Sequence, residues 1–238
     1  MLQPYRSDSP AWISSGIDVQ ARVSAFIRSV YGWMFAGLAL TAMAALWVYN
    51  SPAMKQLVID RPVVMIGLII AELALVVFLS FRIQKMSPAT AASAFMVFAL
   101  LNGLTLSVVL FAYTGAAVFQ AFAVTGVMFG TMSIYGLVTK KDLTSWGSFF
   151  FMGLIGIILA SVINFFVGSN ALHMAISVIG VFVFVGLTAY DTQKLKGYAM
   201  MAEGERVTNF AVIGALALYL DFINLFLMLL RLMGGRRG

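Results

Sequence analysis

Apolar residues along this chain neither alternate as in a strand nor form the one-sided stripe of a soluble helix. They run on for about 20 residues at a time, which is the length a helix needs to cross a bilayer's hydrocarbon. Seven such runs occur, at roughly 29–49, 62–82, 90–113, 117–138, 147–167, 172–194 and 208–231. Short polar punctuation separates them: "NSPAMKQLVIDRP", "IQKMSP", "YTGA", "TKKDLTSW", "VGSNA" and "KGYAMMAEGERVTN". The pattern predicts an all-α membrane protein of seven transmembrane helices. Residues 1–25 are expected to be a cytoplasmic tail and 26–238 a single transmembrane domain, because loops this brief hold no soluble module.

Composition agrees. The chain of 238 residues is 62% hydrophobic and 10% charged, with a mean hydropathy of +0.98. It has no cysteine, which removes disulfides, thiol catalysis and Cys-based metal sites. Its N-terminal stretch has Asp8 and Asp18 and lacks the charged start and short apolar core of a cleaved signal, so the first span is expected to remain. The net charge of +6 reads as orientation rather than nucleic-acid binding. With the N-terminus in the cytoplasm, the inner segments hold Arg6, Arg22, Arg28, Arg82, Lys85, Lys140, Lys141, Lys194, Lys196 and Arg206; the outer loops hold only Lys55 and Arg61. Arg231, Arg236 and Arg237 fall outside if the seventh run crosses fully, and a re-entrant last segment is the alternative.

Candidate chemistry lies in three acids inside spans: Glu72, Asp191 and Asp221. An ionised side chain at mid-bilayer costs at least ~2.5 kcal/mol, so such groups normally face a bundle interior or a wet cavity. On the last span Gly214, Ala217, Asp221, Asn224 and Met228 share one helical face. That small, polar stripe in an otherwise apolar helix suggests a central helix packed closely by others. On the sixth span Ser177, Gly180, Thr188 and Asp191 form a similar sector. Each acid read alone could be protonated interhelical glue. Two that meet repel by ~3 kcal/mol at ~5 Å and an effective dielectric near 20, and share a proton as one titrating unit. With Thr192, Asn224 and carbonyls they offer few oxygens for Ca²⁺, which takes six to eight. Weak binding suits permeation, since an ion must leave as well as enter.

"GLTAYDTQKLK" (186–196) and "ALYLDFINLFLMLLRLMGG" (217–235) resemble the paired C-terminal signatures of the Bax inhibitor-1 family, and the likeness in span pattern runs from about residue 20 onward. The resemblance implies two three-helix layers around a central seventh helix. It further implies a pH-sensitive aspartate pair, Asp191 and Asp221, associated with calcium leak. Arg82 is the nearest match to the family's basic latch, and Glu72 to its acid in the second span. Calcium is then a transported or weakly bound ion, and no tightly bound cofactor is expected. The expected partners are the bilayer, calcium, protons and other membrane proteins.

Other features weigh less. His173 is the only histidine and has no Cys or second His to complete a zinc site. "GVMFG" (126–130) predicts close helix contact. No phosphate-loop pattern is present. An intramembrane aspartyl protease also sets two aspartates on neighbouring helices, but the Gly-x-Gly-Asp element is absent: the residues before Asp221 are Leu218, Tyr219 and Leu220. The expectation is therefore a non-enzyme in the cytoplasmic membrane. The competing reading is a regulator that binds another membrane protein through the "AEGERVTN" loop.

Overall fold

The computed structural model describes residues 11–202, 204 and 206–235, with backbone alone for 11–18. Arg6, Asp8, Glu203, Glu205, Arg236 and Arg237 lie outside the described residues. Among the described residues eight α-helices follow in order: α1 (Ala11–Asn50), α2 (Pro52–Val58), α3 (Pro62–Arg82), α4 (Pro88–Ala112), α5 (Gly115–Val138), α6 (Thr144–Val167), α7 (Asn170–Met201) and α8 (Arg206–Met233). Seven are long and apolar enough to span a membrane. The eighth, α2, occupies a linker that the sequence presents as a loop. Residues from Ala11 to 25, assigned to the tail above, continue the helix of the first span.

Local chemistry sets the starts. Ser51, Ser87, Thr114 and Ser169 stand just before α2, α4, α5 and α7, and each accepts the backbone N–H three residues on. Such caps satisfy donors that a helix leaves unpaired. Prolines open α2, α3 and α4, where a missing N–H costs nothing. Gly168 ends α6 at φ 66°, a conformation that glycine adopts without penalty. Between α5 and α6, Asp142 Oδ1 accepts the Thr144 N–H at 2.9 Å and its hydroxyl at 2.6 Å. These bonds hold the Asp142 carboxyl below its ordinary value of 3.8, hydroxyl first. The support they give is present above that value and lost as pH falls through the lowered one.

Packing follows from which faces are small. Helices α1, α3 and α4 pack together, as do α5, α6 and α7, and α8 lies between, touching α1, α4, α5 and α7. In its most apolar stretch 67% of α8 is buried, against 6% for α3 and 11% for α6. The central position expected of the last span is thus observed, and α3 and α6 are the spans least covered by protein. Close approach is made at Gly103, where an added Cβ would run into Thr41 and Ala44, and at Gly136, where it would run into the Ala189 carbonyl. The expected contact at "GVMFG" does not form: around Gly126 and Gly130 an added Cβ meets nothing within 4 Å. Four-residue spacing identifies a face without saying which way it points, and α5 instead buries Ala117, Ala121, Thr125, Phe129 and Ser133.

The ends of α8 settle its crossing. Near its start Asn209 is buried and donates to the carbonyls of Ile83 and Met86 at 2.9 and 2.8 Å, at the end of α3. Beyond its other end the Gly235 carbonyl accepts the Thr114 N–H at 3.0 Å, between α4 and α5. The last helix therefore runs from one face of the bundle to the other, and the re-entrant alternative is set aside.

Candidate functional site: an acidic cavity beside the central helix

Helices α7 and α8 are antiparallel neighbours, and two glycines report their register. An added Cβ on Gly214 would meet Leu195 Cδ2 at 2.5 Å, and one on Gly180 would meet the Met228 side chain at 2.8 Å. That register sets Asp191 level with Ala217 and Leu218, about one helical turn from Asp221, or ~5 Å along the axis. Helix α7 extends seven residues beyond the apolar run that ends at 194, and its last residue is Met201. Asp191 therefore lies ten residues, ~15 Å, inside the helix end. The added length carries this carboxyl to the depth where Asp221 waits.

A cavity of about 730 Å³ opens between α6, α7 and α8. Asp191, Asp221 and Asn224 line it, with Ser148, Tyr190 and Lys194. The two carboxyl-bearing residues thus stand on the same cavity wall, about one helical turn apart. Asp221 is 4% exposed, and its Oδ2 has no hydrogen-bond partner. Such an atom is costly to bury unless a proton or cation comes to it. Asn224 donates one of its two amide hydrogens to the Leu220 carbonyl at 2.8 Å. Among the described residues no group of three His, Cys, Asp or Glu side chains converges as a metal site.

The remaining candidates lie elsewhere. Thr188 is buried and donates to the Phe184 carbonyl at 2.7 Å, while Thr192 faces α5 and reaches the Ser133 hydroxyl at 3.5 Å. Neither lines the cavity. Glu72 sits on α3, bonded to Thr105 of α4. Arg82 is exposed at the end of α3 and is not among the residues lining the cavity. The cation that does line it is Lys194, whose Nζ lies 5.7 Å from the Tyr190 ring and 5.5 Å from the Tyr198 ring. In the sequence Lys194 counts only toward orientation. Its signal is spacing: tyrosines four residues either side and Asp191 three before place all four on one helical face. Gln193, between these motif residues, accepts the Leu143 N–H at 2.9 Å and donates to the Lys141 carbonyl at 2.8 Å, tying α7 to the α5–α6 loop.

A seven-span bundle with two carboxyl groups in a cavity beside its central helix defines a polytopic membrane protein with a buried acidic site. A family model described as inhibitor of apoptosis-promoting Bax1 matches residues 23–238, and the chain belongs to this family, the Bax inhibitor-1 family. It is 50% identical to inner membrane protein YbhL of Escherichia coli K12 over 224 residues, 93% of this chain and 96% of that one. A Deinococcus radiodurans protein is 47% identical over 90% of this chain and 92% of its own length. One from Borreliella burgdorferi is 39% identical, covering 90% and 93% respectively.

Proposed function

We infer that this protein is a passive, pH-regulated cation leak that passes Ca²⁺, with Asp191 and Asp221 as the proton sensor on the ion path. The supporting observation is that the two carboxyl groups line one cavity with an Asp221 oxygen lacking a hydrogen-bond partner. One proton shared by the pair removes a like-charge repulsion that for two ionised groups ~5 Å apart amounts to ~3 kcal/mol. Loss of that proton with rising pH drives α7 and α8 apart and lets a divalent cation replace it, so the leak increases with pH. A two-carboxylate site with Asn224 holds Ca²⁺ weakly, which suits transit rather than storage. Lys194, at the same cavity, is the counter-charge that favours the shut arrangement. Basic residues at the α7–α8 loop end favour that end as cytoplasmic, and the name of the Escherichia coli relative favours the inner membrane.

The test is purified protein in liposomes loaded with a calcium indicator. A calcium leak is expected without ATP or any partner, and greater at alkaline than at acidic pH. Sealed vesicles at every pH, with a stable protein partner recovered from native membranes, would establish the regulator reading instead.

A further inference from the structure

A further acidic group within a span, half-buried, lies on the far side of α8 from the cavity. Tyr219 and Asp221 are two residues apart, about 200° around the helix, so α8 presents its phenol and its carboxyl in nearly opposite directions. The Tyr219 hydroxyl pairs with Thr41 Oγ1 at 2.6 Å and Asn102 Oδ1 at 3.0 Å. Three residues along α4 from Asn102, the Thr105 hydroxyl is 2.8 Å from Glu72 Oε1 and 3.0 Å from the Asn102 carbonyl. Glu72 itself lies ten residues from either end of α3, at mid-span, on the helix least covered by protein. Its neighbours Ile69, Ile70 and Leu73 are exposed.

The hydrogens available at this carboxyl favour its neutral form. Thr105 has one hydroxyl hydrogen and two oxygen neighbours. An ionised Glu72 would offer about four acceptor sites to that one donor, and would leave the rest of its charge facing hydrocarbon. A neutral Glu72 donates its own hydrogen to Thr105 Oγ1, and Thr105 passes its hydrogen to the Asn102 carbonyl. Both contacts are then used. Helix α4 has no ionisable side chain, Lys55 of α2 and Lys85 of the following 3₁₀ turn lie toward opposite ends of α3, and Arg82 is ten residues away, ~15 Å. Tyr219 of α8 reaches the same stretch of α4 through the Asn102 side chain.

We propose that Glu72 is a proton-binding site separate from the aspartate pair, a neutral carboxyl at mid-bilayer reached from lipid and hydrogen-bonded through Thr105 to α4. Such a group has a distinctive chemistry toward apolar carbodiimides, which dissolve in the bilayer. The carboxyl O–H adds across one C=N bond: its oxygen bonds the central carbon and its proton goes to nitrogen. The O-acylisourea then rearranges to a stable N-acylurea, with nothing lost and no redox change.

The full chain in phosphatidylcholine liposomes, treated with dicyclohexylcarbodiimide at neutral pH, is expected to gain the mass of one reagent on the peptide containing Glu72. Adduct on that peptide falls to background in Glu72→Gln and persists in Asp221→Asn. A water-soluble carbodiimide added outside leaves it unmodified. Glu72→Gln keeps a donor for Thr105, so an unchanged melting temperature shows that lost labelling is not unfolding. An unlabelled Glu72, or one labelled only by the water-soluble reagent, overturns the proposal. Neither result depends on whether the protein leaks calcium.

Discussion

Asp221→Leu is expected to melt at a higher temperature than the wild-type chain. Asp221 is buried at the centre of the most covered helix, and one of its oxygens has no hydrogen-bond partner. Leaving a buried polar group unpaired costs roughly 1–3 kcal/mol, and a leucine, branched at the same carbon and with the cavity to take its larger methyl groups, removes that cost. For a chain of this length that corresponds to a gain of several degrees. Stability sacrificed at a working site is the expected signature of function. Thermal unfolding in detergent, followed by size-exclusion recovery, measures it. If the variant melts lower, the carboxyl contributes to packing, and interhelical glue becomes the better account of Asp221.

The second large effect is steric. Gly136→Ala is expected to lower the melting temperature sharply, and Gly136→Leu to prevent recovery of folded protein. A Cβ at Gly136 collides with the Ala189 carbonyl and comes within 3.1 Å of Thr192 Cβ. The obstacle is helix backbone, which does not yield as a flexible side chain would. Overpacking of this kind costs ~1–3 kcal/mol and occasionally more. Gly130→Ala is the control: nothing lies within 4 Å of its Cβ, and exchanging a mid-helix glycine for alanine gains ~0.5–1 kcal/mol. Equal stability of the two alanine variants would mean that α5 and α7 do not approach as closely as described.

These two residues mark what the sequence can and cannot reveal. Run length alone locates seven spans, because the bilayer imposes one length on every crossing element. Polar residues on an apolar helix likewise single out Asp191, Asp221 and Glu72, since the cost of burying charge leaves few such residues without purpose. Depth is harder to read. Hydropathy falls at Lys194 and Lys196, yet α7 continues to Met201 because Leu195 and Ala199 on its other face remain buried. Facing is harder still: the glycines of "GVMFG" look toward open space, while the lone Gly136 makes the contact. Pairing is the least legible. Thr105 is 33 residues from Glu72 and Gln193 is 50 from Leu143, and only the folded chain brings them together.

Sequence spacing also puts Thr188 and Thr192 within a turn of Asp191, and the helix separates them. Each lies within four residues of it, but their hydroxyls are committed to Phe184 and Ser133. Lys194 is the reverse case, counted for its charge and found beside the acids.

Calcium flux into liposomes as a function of pH, for the wild type, Asp191→Asn and Asp221→Asn, tests the aspartate pair most directly. The account predicts a leak that rises with pH in the wild type and a flat profile in both variants, because either substitution removes the second charge from the pair. A wild-type pH profile in either variant would contradict it.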